Sequence, residues 1–144
     1  MRRFKEILET GVSRKIVISL MEKNADDKLA ITDKWPAEIK FDDNFQLACG
    51  EGGAGVAWKE KELVYIPSIK HLIAIRVGEK YTPLGLVYKR TDEHPFKSIL
   101  CVPLATDSNF YGVLTISANK KGTFLVPDFE IARLAGTLLT VIKC

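Results

Sequence analysis

Apolar and polar positions alternate, or recur at helical spacing, along most of the chain, and these two periods divide it into elements. Phe4, Ile7 and Leu8 fall at helical spacing ahead of Gly11, which predicts a short first helix. Residues 13–22 are β-branched, with Ile16, Ile18 and Leu20 on one face and Val17, Ser19 and Met21 on the other, and they predict a strand. The turn cluster Asn24-Ala25-Asp26-Asp27 makes residues 28–33 the second arm of a hairpin, closed by Trp35-Pro36. Residues 45–49 fit either a short strand or the approach to a helix. Glycines 50, 52, 53 and 55 mark a turn that runs into about two turns of helix through Val56, Trp58 and Lys61. Residues 63–67 follow as a strand. Residues 68–96 are the least regular part, and a connection this long inside a compact domain is commonly functional or mobile.

The last third carries the clearest pattern. Two apolar, β-rich runs, Ser-Ile-Leu-Cys-Val-Pro-Leu from Ser98 and Tyr-Gly-Val-Leu-Thr-Ile-Ser from Tyr111, flank the polar turn Asp107-Ser108-Asn109 and predict a hairpin. A helix follows, with Pro127 suited to its first position, Asp128 and Glu130 at the positive end of its dipole and Lys143 at the other. Its buried stripe is expected to be Ile131, Leu134, Ala135, Leu138 and Ile142, and it lacks a Ser or Thr cap.

With 47% apolar and 27% charged residues, the composition is that of a folded globular protein, and residues 1–144 are expected to form one domain. The 21 basic and 18 acidic residues are scattered together, which argues against a nucleic-acid partner. No apolar run approaches the ~20 residues of a membrane-spanning helix, and no secretory pattern opens the chain. Cys49, Cys101 and Cys144 are odd in number and outside any Cys-x-x-Cys pattern, so no disulfide framework or structural zinc site is expected and a cytoplasmic setting fits best.

Candidate chemistry is sparse. Gly50, Gly52 and Gly55 match Gly-x-Gly-x-x-Gly literally, yet a dinucleotide site needs a long crossover helix and an acid at the end of the second strand, and here the next apolar strand already starts at Leu63 and ends in Pro67-Ser68. His71 and His94 stand at no ligand spacing, so metal or haem binding is not expected. Cys49, beside the glycine turn, is better placed for reactivity than Cys101 in its apolar strand. No serine sits in a hydrolase elbow, and no nucleophile–base pair is evident. Trp58, Tyr65, Tyr81, Tyr88 and Phe96 are aromatics that can wall an apolar pocket.

Three stretches resemble the GAF family of small-molecule-sensing domains: the glycine turn and helix with the strand Glu-Leu-Val-Tyr-Ile-Pro; the paired strands of the last hairpin; and the close, where Phe124 and Asp128 look like the family's Phe-x-x-x-Asp lead-in to the final helix. The resemblance implies an α+β fold: a central antiparallel sheet of about six strands, the terminal helices on one face, and covering loops and short helices on the other. It implies a pocket between the sheet and residues 50–58 and 68–96, with Cys49, Gly52, Trp58, His71, Tyr88, Phe96 and Thr115 as ligand-binding candidates. The long covering segment and the absence of a catalytic constellation favour a non-enzymatic regulatory domain that binds a small molecule or mediates dimerisation. A ligand-free dimerisation module built from the terminal helices is a further alternative. The cyclic-nucleotide signature Asn-Lys-Phe-Asp-Glu is absent, and His71 has no neighbouring cysteine of the bilin-attaching kind. The rival is a thiol-dependent reductase of the free methionine sulfoxide reductase type, using Cys49 with Cys101, although Ala54 stands where a second thiol would be expected.

The hairpin register decides which residues face the pocket. With Ser108-Asn109 as a two-residue loop, Ile99, Cys101 and Pro103 share a face with Leu114, Ile116 and Ala118 under the terminal helices. Leu100, Val102 and Leu104 then join Val113, Thr115 and Ser117 as the pocket floor, and a one-residue slip exchanges the partners.

Overall fold

A computed structural model of the chain describes residues 2–9, 14–39, 45–71, 73–85 and 96–143. In chain order the described elements are α1 (Arg2–Glu9), β1 (Ile16–Lys23), β2 (Leu29–Trp35), β3 (Gln46–Leu47), α2 (Gly52–Glu60), β4 (Leu63–Ser68), β5 (Ile73–Val77), β6 (Tyr81–Leu84), β7 (Ser98–Ala105), β8 (Phe110–Ala118) and α3 (Val126–Lys143). All strand pairs are antiparallel, and they form one eight-stranded sheet in the order β3-β2-β1-β8-β7-β4-β5-β6. The α+β architecture is the expected one, with more strands than the six anticipated. Residues 45–49 supply the short β3, and the irregular segment contains the β5–β6 hairpin, whose two short strands are joined by Gly78-Glu79-Lys80.

The sheet separates two apolar layers. On one face Ile16, Ile18 and Leu20 of β1, Leu100, Val102 and Leu104 of β7, and Leu114, Ile116 and Ala118 of β8 pack against Leu8 of α1 and Phe129 and Ala132 of α3. On the other, Met21, Ile99, Cys101, Val113, Val64 and Ile66 pack against Ala54, Val56 and Ala57 of α2. The terminal helices therefore share one face and α2 covers the other, as strand alternation requires once β1 is placed at the sheet centre.

The β7–β8 register differs from the two-residue-loop expectation. Cys101 lies opposite Thr115 and Leu100 opposite Ile116. The loop spans residues 106–109, closed by the Thr106 N–H donating to the Asn109 carbonyl at 2.8 Å, and a bulge at Tyr111 shifts the pairing beyond Leu104. The slip moves β7 alone: Leu100, Val102 and Leu104 go under the helices, and Ile99 and Cys101 go to the α2 side. Cys101 is core, as expected, but of the opposite layer.

The stripe expected to bury α3 is also corrected. Of the expected stripe, Ile131 and Ala135 are partly buried against the core, but Leu134, Leu138 and Ile142 are 62%, 58% and 76% exposed, and it is Phe129, Ala132 and Gly136 that are buried against the sheet. Small residues set this rotation. A Cβ on Gly136 would stand 2.6 Å from Val102 Cγ1, so the glycine lets the helix lie directly on β7.

One buried cation ties the helical layer together. Arg14, with its side chain only 3% exposed, donates from Nε to the Leu8 carbonyl at the end of α1 (2.7 Å) and from Nη1 to the Thr123 carbonyl (2.8 Å). It also forks onto the Asp128 carboxylate at 2.9 and 3.3 Å and lies 5.0 Å from the Phe124 ring centre. Asp128 in turn accepts the Leu125 N–H at 2.8 Å, which supplies the helix start that no Ser or Thr provides. The Phe124–Asp128 pair singled out in the sequence is thus the receiving half of a latch whose donor is Arg14. Arg14→Ala leaves the Asp128 carboxylate without its buried partner, and chemical denaturation should show a loss of about 3–5 kcal/mol. A loss below about 1 kcal/mol, the range of an exposed pair, would contradict the latch.

Candidate functional site

The α2 face of the three central strands is built in rows. Across β1, β8 and β7 the register aligns Met21–Val113–Pro103, then Ser19–Thr115–Cys101, then Val17–Ser117–Ile99. Polar hydroxyls thereby enter a layer that is otherwise apolar, and all three hydroxyl-bearing residues are buried. Ser19 Oγ and Thr115 Oγ1 hydrogen-bond to each other, and Thr115 Oγ1 also approaches the Ser19 carbonyl at 3.5 Å. The pair satisfies itself, which is what burial of two hydroxyls demands.

Helix α2 covers one half of this layer. Its glycines allow close approach: a Cβ on Gly55 would stand 2.4 Å from the Ala48 carbonyl oxygen, and the Gly50 N–H donates to the Gly55 carbonyl at 2.8 Å. The glycine stretch is therefore the first turn of the helix itself, not a loop ahead of it, and it packs α2 on the turn that precedes it. At the far end Trp58 stacks on Phe110 of β8, with ring centres 5.1 Å apart and planes 8° from parallel.

Of the candidate residues, Gly52 is buried at the start of α2, and Trp58 and Phe96 are half-buried against the same α2-side layer to which Thr115 contributes. Cys49 is exposed, outside that layer. His71 is exposed at the end of β4, where its Nδ1 meets Ser68 Oγ at 2.6 Å. This serine–histidine contact, three residues apart in a turn, was not anticipated, and among the described residues no carboxylate orients the ring. Tyr88 and His94 lie outside the described residues. Tyr65 and Tyr81, also weighed as pocket walls, pack instead on the α3 side, with Phe129 ring centres at 5.1 and 6.4 Å.

Cys49 and Cys101 are both free thiols. Complete burial in apolar surroundings pushes the Cys101 thiol far above the ordinary range, so it stays protonated and is a poor nucleophile. The described residues contain no cluster of three or more His, Cys, Asp or Glu able to hold a metal, and no helix among them is long and apolar enough to cross a membrane. A separate open groove of about 350 Å³ lies on the opposite face, between α3 and β7, lined by Lys61, Glu62, Val102, Arg133, Gly136 and Thr140 among others.

No family model matches the chain, and no curated protein does. Solved structures do. The type II free methionine-R-sulfoxide reductase of Thermoplasma acidophilum superposes with a TM-score of 0.66 at 15% identity, over 99% of this chain and 88% of that one. The phycocyanobilin-bound GAF domain of a cyanobacterial phytochrome gives 0.69 at 10% identity, over 99% and 80%. The GAF domain of an Acinetobacter phosphoenolpyruvate-protein phosphotransferase gives 0.63 at 14% identity, over 88% and 68%. The chain has a GAF-like fold, one shared by sensory domains and reductases.

Two measurements check the geometry. Thr115→Val strands the Ser19 hydroxyl and should cost about 1–3 kcal/mol, whereas adding Ser19→Ala removes both polar groups and should recover most of the loss. Peptide mapping after iodoacetamide treatment of native protein should find Cys49 modified and Cys101 untouched between pH 7 and 9. The raised Cys101 thiol favours the fold fully below about pH 8.5, the unfolded value, and that contribution is lost as pH rises above it, so Cys101 labelling should appear only with unfolding.

Proposed function

We propose that the chain is a non-enzymatic regulatory domain of the cytoplasm that binds a small molecule on the α2 face of the sheet and reports its occupancy through α1 and α3. The observation that carries this reading is the group of buried hydroxyl-bearing residues on two adjacent rows, Ser19 and Thr115 on one and Ser117 on the next, in a layer that packing alone would fill with apolar side chains. Gly52, Trp58 and Phe96 on the same layer, with Cys49, His71 and Tyr88, are the remaining proposed contacts. A GAF-like neighbour that holds phycocyanobilin gives the reading a precedent in another protein.

The route to an output is short. Strand β7 presents Ile99 and Cys101 to the α2 layer, and Leu100, Val102 and Leu104 to the helix layer, with Val102 against Gly136 of α3. A ligand that favours one arrangement of the first set favours one position of α3, because it acts only through its different affinity for two states. The exposed apolar residues of α3, Leu134, Leu138, Val141 and Ile142, recur at helical spacing and suit a homodimer through the terminal helices.

The reductase reading is favoured by the neighbours of that activity, two of them solved with substrate. The protonated, enclosed Cys101 weighs against a dithiol mechanism through Cys49 and Cys101. Thermal-shift screening against metabolite classes, alongside an assay of methionine-R-sulfoxide reduction with a dithiol reductant, separates the two. Stabilisation by a metabolite without turnover is expected, and turnover lost in Cys49→Ser would establish the reductase. In sedimentation the protein should be a dimer that Leu134→Glu with Leu138→Glu converts to a folded monomer of nearly unchanged Tm; a monomeric wild type would contradict the dimer.

A further inference from the structure

Beyond Ser117 on the α2 face, the three central strands are flanked by Lys15, just before β1, Asn119, just after β8, and Lys97, just before β7, all exposed. Backbone contacts hold them side by side. The Asn119 N–H donates to the Lys15 carbonyl at 3.3 Å, Asn119 Oδ1 accepts the Lys15 N–H at 2.9 Å, and the Lys97 N–H donates to the Ala118 carbonyl at 2.8 Å. The Ile69 N–H reaches the Lys97 carbonyl at 3.1 Å, which brings Lys70 to the same end, and Lys120 and Lys121 follow Asn119 in the chain. Five lysines dispersed through the sequence thus gather at one end of the sheet, and none of them makes an ion pair among the described residues.

The opposite end is balanced. There Lys23 pairs with Asp27 and Lys143 with Glu22, and the exposed Asp26, Glu62, Glu79 and Asp107 stand among Lys28, Lys61 and Lys80. Immediately inside the lysine rim, Ser117 is 7% exposed, and its hydroxyl makes no hydrogen bond among the described residues, unlike the Ser19–Thr115 pair one row deeper. In the strand register Ser117 stands one row inside Lys15 and Lys97. Lys15 also feels the Glu9 carboxylate, whose charged form it helps to favour, while Lys97 has no such carboxylate among the described residues, and an anion would complete this arrangement.

We propose that the ligand is a small organic anion whose carboxylate or phosphate sits between Lys15 and Lys97 and accepts the Ser117 hydroxyl proton in a hydrogen bond, with its uncharged body lying inward against Val17 and Ile99. The two lysines flank Asn119 just beyond the ends of β1 and β7, about 10 Å apart by strand spacing, and their flexible four-carbon stems let both ammonium groups converge on one anion. A polyanion such as a nucleic acid is disfavoured, because the lysines are confined to one end of the sheet and the Glu9 carboxylate stands near Lys15. This inference rests on the ligand-binding reading above and narrows its chemical class.

The test titrates the isotope-labelled chain with matched pairs that differ in charge: nicotinate against nicotinamide, indole-3-acetate against indole-3-acetamide, and glycerol 3-phosphate against glycerol. Backbone amide shifts of Ser117 and Asn119 report binding. At least one anion is expected to bind about fivefold or more tightly than its neutral partner, with the preference falling at higher salt. Lys15→Gln with Lys97→Gln should abolish the preference, Ser117→Ala should weaken it, and the opposite-end change Lys23→Gln should leave it intact. Equal binding of charged and neutral partners at these amides would overturn the anion and leave the pocket standing. No shift from any member would overturn the pocket reading itself. Anion shifts unaffected by Ser117→Ala, or a single-stranded oligonucleotide binding more tightly than every small anion, would reduce the rim to a charged surface and overturn the proposal.

Discussion

Side-chain alternation along β1, β8 and β7 is the constraint on which the rest depends. Each of these central strands is buried on both faces, so its odd and even residues serve different layers, and a slip of one position would exchange them. The register places Ile16, Ile18 and Leu20 with Leu114, Ile116 and Ala118 against the terminal helices, and it places Ser19, Thr115 and Ser117 together on the other side. Ser19 and Thr115 meet across β1 and β8, with Ser117 one row on, because these two strands hold that register.

The helix layer is organised by different physics. Arg14 collects the end of α1, the segment that leads into α3 and the Asp128 carboxylate in one set of hydrogen bonds, so the beginnings and ends of the two helices cannot move independently of the strand that follows Arg14. Ala132 and Gly136 then let α3 settle against β7, which turns Leu134, Leu138 and Ile142 outward. The helix is thus apolar on two sides, one packed on the sheet and one exposed.

Much of this was legible in the sequence, and the failures have physical causes. The strands around Ile18, Leu100 and Leu114 announce themselves because burial on both faces enriches them in β-branched and aliphatic residues. The loop between β7 and β8 was misjudged because Asp107-Ser108-Asn109 is equally good turn chemistry for two lengths, and only the bulge at Tyr111 selects the longer one. The α3 stripe was misjudged because a periodicity argument weighs large apolar residues most, whereas the sheet contact is made by Phe129, Ala132 and Gly136. At the site, Thr115, Trp58, Gly52 and Phe96 share the α2 side that the resemblance implied, and Tyr65 fell on the other because its strand alternation begins one residue away. The partnership of Arg14 with Asp128, and the gathering of Lys15, Lys70, Lys97, Lys120 and Lys121, carry no local signal, since both join positions that only the sheet brings together.

We propose a division of labour between the two faces, with a small molecule received on the α2 side and the terminal helices responding on the other. Hydrogen exchange of the full chain, with and without a metabolite that raises its Tm, tests it most directly. Direct protection is predicted in β1, β7, β8 and α2, accompanied by altered exchange in α3 and around Arg14. Protection centred on the groove of Lys61, Arg133 and Thr140, with β1 and α2 unchanged, would place the ligand on the helix face and contradict the account.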